Sequence, residues 1–318
     1  LKIRNIGLGT AAIGRPVYIN IKQQIDRSPF SLSKFKEKGI QVLEDAYKKG
    51  IRYFDTSPGY GMAEELLLQW LSTKNDQSIK VSSKWGYTYV ADFNPKAKQH
   101  EVKEHSLKKL NEQWETTKKL LPYLDVYQIH SATLDTGVLE NTEVLKRLHE
   151  LKKEHNITIG LTTTGANQTE VLEKALSTQV DNELLFQSFQ CTFNVLDQSI
   201  LKFSEALTKC SGPIIIKEAL ANGRLLTNNK YQKYQPLYNY CNQLADSYNV
   251  GTDAIALRYC IDVFPDAIVL SGANNSEHLE ANLKANQFNL SKSEIEHLSS
   301  FGLSVDDYWQ ERKELKWH

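Results

Sequence analysis

Ile51-Arg-Tyr-Phe-Asp-Thr-Ser-Pro-Gly-Tyr-Gly61 opens as a short apolar strand, Ile51 to Asp55, and runs into a loop. Pro58, Gly59 and Gly61 supply the turn chemistry of that loop and hold Asp55 and Tyr60 five positions apart. A carboxylate at the tip of a buried strand, with a phenol on the loop behind it, costs free energy unless both groups are used. Upstream, Ile40, Leu43, Ala46 and Tyr47 recur at helical spacing, and Gly50 ends that helix from the C′ position. Downstream, Leu66, Leu67 and Trp70 mark a second helix. Helix, strand, loop and helix form one unit of an alternation.

The same unit repeats along the chain. Strands are expected at Ile3–Gly9, Ile79–Ser83, Leu124–Ile129, Ile157–Leu161, Leu184–Phe189, Pro213–Ile216 and Ala267–Leu270, besides Ile51–Asp55. Between them, helical faces recur at Val102, Leu107, Leu110 and Trp114 within Glu101–Lys119, then at Val144 to Leu151 and Val171 to Leu176. Asp197 reads as the N-cap of a helix through Ile200, Leu201 and Leu207 that Gly212 ends. Leu237 to Tyr248, Thr252–Ile261 and Ser276–Ala285 complete the series. Arg15–Lys36, with Pro16 and Pro29, reads as an irregular stretch, long for a connection and of the kind that often carries function. The polar tail Phe301–His318 shows no readable pattern.

Eight strands alternating with helices, without a linker or a shift in composition, predict an α/β fold: one (β/α)8 TIM barrel domain spanning residues 1–318. An open doubly wound sheet is the alternative. Its G-x-G-x-x-G fingerprint is missing, because Ala12 stands where the third glycine after Gly7 and Gly9 would fall.

Composition narrows the function classes. The 318 residues carry 38 basic and 38 acidic side chains, a formal net charge of zero, which argues against nucleic-acid or anionic-membrane partners. Cys191, Cys210, Cys241 and Cys260 lie far apart, in neither a zinc spacing nor a secreted disulfide framework. The N-terminal segment lacks an apolar signal core, and no apolar run approaches the ~20 residues of a membrane helix. A soluble cytoplasmic protein is expected, with no metal site; its oligomeric state is not readable.

In a parallel barrel the working groups sit at the C-terminal ends of the strands. Asp55, Lys84 and His130 close strands two, three and four, and Tyr60 lies on the loop after strand two. Taken singly, each has an ordinary structural reading: helix cap, rim charge, packed histidine or loop aromatic. Four such groups on adjacent strands make coincidence a poor explanation. A phenol with its usual pKa near ~10 is a reluctant donor at neutral pH, and a nearby cation lowers that value. Lys84 can supply the cation, Asp55 can aim it, and His130 can hydrogen-bond a carbonyl oxygen. The set can protonate an oxygen as it becomes an alkoxide, with the attack on carbon supplied from elsewhere.

Phe54-Asp-Thr-Ser-Pro-Gly-Tyr-Gly61, Ser82-Ser-Lys-Trp-Gly86, Asp125-Val-Tyr-Gln-Ile-His-Ser131 and Ser271-Gly-Ala-Asn-Asn-Ser-Glu-His-Leu-Glu-Ala-Asn282 resemble the aldo-keto reductase superfamily, over nearly the whole chain. The resemblance implies a (β/α)8 barrel in which a nicotinamide cofactor delivers hydride to a small-molecule aldehyde or ketone. It makes Tyr60 the proton donor, Lys84 and Asp55 its tuning pair, and His130 the group that orients the carbonyl. It places Gly9, Thr10, Asp55, Thr162 and Gln190 near the cofactor, with Gln190 on the nicotinamide carboxamide. It also marks three departures. Thr163 replaces the asparagine of a Ser-Asn pair, Lys217 stands where an aromatic stacks on the nicotinamide, and Gly272 and His278 occupy the positions of a lysine and an arginine that grip a 2′-phosphate.

Asn274 and Asn282 belong to the same adenine-end segment, and Arg224 is a candidate for the cofactor pyrophosphate. Trp85, beside Lys84, is expected to wall the substrate cleft, with Tyr87 and Tyr89 as further candidates. NADP(H) is the favoured cofactor and NAD(H) the alternative. Two other functions compete with carbonyl reduction: a cofactor-binding sensor subunit with slow turnover, and a Schiff-base lyase using Lys84 or Lys217.

Overall fold

The computed structural model describes residues 5–17 and 30–317. Eight strands, β1 (Ile6–Gly9), β2 (Tyr53–Asp55), β3 (Lys80–Trp85), β4 (Leu124–Ala132), β5 (Thr158–Thr163), β6 (Ser188–Thr192), β7 (Ile214–Lys217) and β8 (Ile268–Ser271), close into one barrel. Each pairs in parallel with its sequence neighbours, and β1 pairs with β8. The expected (β/α)8 architecture is the one observed.

The surrounding helices are α1 (Leu32–Lys48), α2 (Ala63–Leu71), α3 (Leu107–Thr117), α4 (Thr142–His155), α5 (Gln168–Ser177), α6 (Gln235–Tyr248), α7 (Thr252–Val263), α8 (Ser276–Leu283), α9 (Lys292–Ser299) and α10 (Val305–Lys313). Most of them bury an apolar stripe against the outside of the barrel, while α9 packs on α7 and α10 docks at the rim. On α2, Leu66, Leu67 and Trp70 are buried, and the Trp70 ring lies 5.0 Å from that of Phe54 on β2. Full burial of one such side chain stabilises the fold by roughly 1.5–3 kcal/mol. This contact fixes α2, and with it the Tyr60 turn that precedes it.

Several boundaries differ from the sequence reading. Within Glu101–Lys119 the helix starts only after Ser106, whose Oγ accepts from Lys109 N at 3.1 Å. Glu101–Lys103 instead pairs antiparallel with Tyr87–Tyr89, because Val102 has no helical partner at i±3 or i±4 on the N-terminal side and its backbone finds a strand. The barrel strand expected at Leu184–Phe189 runs from Ser188 to Thr192. Leu185 and Phe186 are apolar because they are core residues below the barrel, whereas the strand itself carries inward polar groups.

Asp197 does accept from Ser199 N at 3.0 Å, but the segment behind it is broken into a 3-10 turn, Ser199–Phe203, and one short helix, Ser204–Thr208. In the stretch read as irregular, α1 already begins at Leu32, while residues 18–29 lie outside the described residues. The tail holds α10, started by Ser304 accepting from Asp307 N at 3.2 Å. Among the described residues, no helix is long and apolar enough to cross a membrane.

Candidate active site

Strand pleating decides which groups converge. On β3, Ser82 and Lys84 point into the barrel, while Ser83 and Trp85 point outward to the helices. Ser82 Oγ accordingly donates to Asp55 Oδ1 at 2.7 Å and Lys84 Nζ to Asp55 Oδ2 at 2.5 Å. Gln190 Nε2, from β6 across the barrel, donates to Asp55 Oδ1 at 2.7 Å. Asp55 and Lys84 are 2% and 0% exposed, so neither is screened by water. Their pairing, with a further bond from Lys84 Nζ to the Thr56 carbonyl at 2.9 Å, offsets the cost of burying two charges.

Tyr60 ends a 3-10 turn, Pro58–Tyr60, that Ser57 caps by accepting from Gly59 N at 3.1 Å. The Lys84 amine lies 4.7 Å from the centre of the Tyr60 ring. The Tyr60 hydroxyl is 3.5 Å from His130 Nε2, at the outer limit of a hydrogen bond, with the two rings edge to face. His130 Nδ1 lies 3.2 Å from Ser57 Oγ, and its ring packs 4.6 Å from that of Tyr87. Behind it, His105 Nε2 donates to the His130 carbonyl at 2.9 Å. The structure therefore brings Asp55, Tyr60, Lys84 and His130 to one point on the barrel rim.

Burial, followed by the charges of Lys84, Arg15 and Lys217, holds the His130 imidazole well below its ordinary pKa, so the ring is neutral. Burial, then the Asp55 carboxylate, pushes the Tyr60 phenol well above 10, against a smaller opposite effect of Arg15. This differs from the expectation that Lys84 would lower it. The lysine charge is closed off by Asp55 and sits over the ring face instead of the hydroxyl. A phenol that keeps its proton, beside a neutral imidazole, is a donor that is loaded at neutral pH.

The residues assigned to the cofactor divide into three groups. Gln190, Thr162 and Lys217 lie at the rim: Gln190 through Asp55, Thr162 by accepting from Ser131 N at 2.6 Å, and Lys217 by donating to Thr192 Oγ1 at 3.0 Å. Burial lowers the Lys217 amine from its ordinary pKa. Gly9 pairs with Asp55 across β1 and β2, and Thr10 donates both N and Oγ1 to the Asp55 carbonyl at 2.9 Å, which fixes the carboxylate from behind.

Gly272, Asn274 and His278 are exposed around the N-terminus of α8, where Asn275 caps by accepting from His278 N at 2.8 Å. A Cβ at Gly272 would meet nothing within 4 Å, so this corner faces open space. Open space, a helix N-terminus and the amide of Gln190 at the opposite end fit a nicotinamide dinucleotide laid across the rim.

Three of the assigned residues sit back from the open rim. Arg224 is 0% exposed and turned to the tail: its Nε donates to the Ala221 carbonyl, its Nη1 to the Tyr308 carbonyl at 3.2 Å and to Glu311 at 3.3 Å, and it stacks on the Tyr308 ring at 4.2 Å. Asn282 is spent inside the fold, donating to Asp253 at 2.6 Å and accepting from Ser271 Oγ at 2.7 Å. Trp85 is wholly buried, on the outward face of β3 and edge-on to His105, so it cannot wall a cleft; half-buried Tyr87 stands nearer the site. Lys84, buried and bound to Asp55, is likewise placed as a fixed ammonium and not as an attacking amine.

The sequence reading missed Ser57, Ser82 and Arg15. Ser82 was within reach, since it precedes Lys84 by two on the same strand face. Arg15 carried no local signal.

The Aldo/keto reductase family model matches residues 5–302. The chain is 24% identical to the aldo-keto reductase YhdN of Bacillus subtilis over 311 residues, covering 88% of this chain and 84% of that one. It is 23% identical to an NADH-specific methylglyoxal reductase of Escherichia coli, covering 92% and 93%. An aldo/keto reductase from Klebsiella pneumoniae, solved in complex with NADP and acetate, superposes with a TM-score of 0.67 at 20% identity, covering 93% of this chain and 90% of its own. With the four-residue rim in place and the family matched over nearly its whole length, the chain belongs to the aldo/keto reductase family and is an NAD(P)H-dependent oxidoreductase of carbonyl groups.

Proposed function

We propose that this protein reduces a small aldehyde or ketone to an alcohol, or runs the reverse oxidation, with Tyr60 as the proton donor. The carrying observation is the Tyr60 hydroxyl 3.5 Å from a neutral His130 and backed by the closed Asp55–Lys84 pair. His130 Nε2 and the Tyr60 hydroxyl converge on one point, where a carbonyl oxygen can accept from the protein as negative charge develops on it. A nicotinamide held at the rim by Gln190, Thr162 and Lys217 would supply the hydride. Lys84, held by Asp55, lies against the face of the phenol ring and helps to fix that ring beside His130. Ser57 sets the Tyr60 turn and the His130 ring together, because it touches both.

NADP(H) is the favoured cofactor and NAD(H) the alternative. The Klebsiella pneumoniae reductase was solved in complex with NADP, and the Escherichia coli relative is an NADH-specific reductase. At the adenine end, exposed His278 offers a 2′-phosphate less than an always-charged guanidinium would. Gln190, Thr162 and Lys217 would meet the nicotinamide half, and Gly272, Asn274 and His278 the adenine half. A cytoplasmic setting and the absence of nucleic-acid or membrane partners accord with the neutral charge balance.

Purified protein should bind NADPH more tightly than NADH and oxidise it with a panel of reactive aldehydes. Binding without turnover across the panel would favour the sensor reading, and failure to bind either nucleotide would end the proposal.

A further inference from the structure

Arg15 has no role in the reading above, yet it is 4% exposed and set against the catalytic turn. It follows the short helix Ala11–Gly14 in the connection after β1. Its Nη1 donates to the Gly59 carbonyl at 3.1 Å, on the peptide that leads into Tyr60, and to the Glu101 carboxylate at 2.7 Å. The guanidinium carbon lies 5.3 Å from the centre of the Tyr60 ring and 4.8 Å from that of Trp317. Trp317 in turn stacks on His100 at 4.6 Å. Four segments remote in sequence meet at this one guanidinium: the β1 connection, the Tyr60 turn, the Tyr87–Lys103 hairpin region and the end of the chain.

We propose that Arg15 and Glu101 are an opposed pair of positioning residues that set how readily Tyr60 gives up its proton, Arg15 promoting release and Glu101 restraining it. The proposal rests on the reading of Tyr60 as the proton donor.

The surroundings of Tyr60 leave this pair as the adjustable element. Asp55 faces the phenol from β2, Lys84 from β3, His130 from β4, Tyr87 and Glu101 from the hairpin, and Arg15 from the β1 connection. Asp55 and Lys84 are locked together in a buried contact from which the Asp55 charge still raises the phenol, and His130 is neutral. Arg15 is buried, whereas Glu101 is 26% exposed at its side chain, so the cation acts through less water than the anion. The Arg15 charge favours the phenolate and the Glu101 charge disfavours it, each less strongly than burial and Asp55 do. An arginine serving only to hold the tail would need Trp317, but not the Gly59 carbonyl or the Tyr60 face.

The test is alcohol oxidation with NADP+, measured at one pH below the titration of Tyr60, where the rate follows the small phenolate fraction. Glu101→Gln should raise the rate and Arg15→Gln should lower it, each by roughly fivefold. NADPH affinity should stay within about twofold in both, and Arg15→Lys should recover most of the Arg15→Gln loss. If both Gln variants lose activity together, or Arg15→Lys is as impaired as Arg15→Gln, the pair is a structural clamp and the proposal falls. A second readout does not need turnover. The 13Cζ resonance of Tyr60, assigned with Tyr60→Phe, should begin to move toward the phenolate at lower pH in Glu101→Gln than in Arg15→Gln. An inactive wild type with this ordering intact would overturn the proton-donor reading and leave the tuning standing, while identical titrations would overturn the tuning.

Discussion

The ends of β2, β3 and β4 and the corner between β7 and α10 are built from similar buried charges put to opposite ends. At the first, Asp55 and Lys84 close on one another and leave the Tyr60 hydroxyl and His130 Nε2 aimed at a common point. At the second, Glu218 takes Arg312 at 2.8 Å, Arg224 takes Glu311 and the Tyr308 carbonyl through Nη1, and Asn194 takes Tyr308, so the ions are paired within the protein, with Arg224 Nη2 alone of that guanidinium left without a partner among the described residues. Arg312 and Lys217 hold Glu218 down to about 2 against the burial that would raise it. The first arrangement keeps two neutral proton-bearing groups in reserve, and the second fastens the tail to the barrel. A buried charge at a barrel rim thus signals chemistry only when an unspent donor lies beside it.

The comparison breaks most visibly at Lys84. Lys84→Met leaves the Asp55 carboxylate buried with only Ser82 and Gln190 to answer it, and should destabilise the fold by roughly 3–5 kcal/mol while abolishing turnover. A urea midpoint unchanged from wild type would show that the pair is not closed as described. Arg224→Ala should cost less, about 2 kcal/mol, since Glu311 keeps Lys233 and Tyr234 as partners. Its NADPH affinity should be unchanged. A tenfold loss of affinity without loss of stability would return Arg224 to the cofactor.

A further effect, one that shows only as the pH changes, is expected one layer behind β3. Glu64 on α2 is 5% exposed and accepts from Ser83 Oγ and from Thr117 Oγ1. Burial pushes its carboxyl up to about 7 from an ordinary 4.5, against those hydrogen bonds and the Lys84 charge. Between these two values the native state binds a proton that the unfolded chain has lost, so stability falls as pH rises through this window. Wild type should therefore lose up to roughly 3 kcal/mol from this group between pH 5 and 8, discounted by whatever relaxation lets water in. Glu64→Gln should flatten that slope in urea unfolding at the two pH values. An unchanged slope would place the titration elsewhere.

What was legible in the sequence follows from where its information is local. β2 ends on Asp55, His130 follows Ile129 near the end of β4 and Lys84 follows an apolar run on β3, so Asp55, Lys84 and His130 stood out and the barrel placed them. β6 was displaced by several residues because its inward face carries Ser188, Gln190 and Thr192, which break the apolar signature of a buried strand. The hairpin Tyr87–Tyr89 with Glu101–Lys103 was hidden in a charged run with a single valine. Arg224 was read by its loop position alone, and its true partners lie on α10, more than eighty residues away. Arg15 and Trp317 meet across almost the whole chain, a contact that no spacing rule encodes.

The central claim is that Tyr60 delivers the proton. A single turnover of NADPH-loaded protein with a reactive aldehyde, followed by stopped-flow loss of the reduced-nicotinamide absorbance, tests it directly in wild type and Tyr60→Phe. Tyr60→Phe should slow that step by roughly 10²–10⁴-fold with NADPH affinity within about twofold of wild type. A single turnover near the wild-type rate, or an equal loss of rate and of cofactor binding, would contradict the assignment.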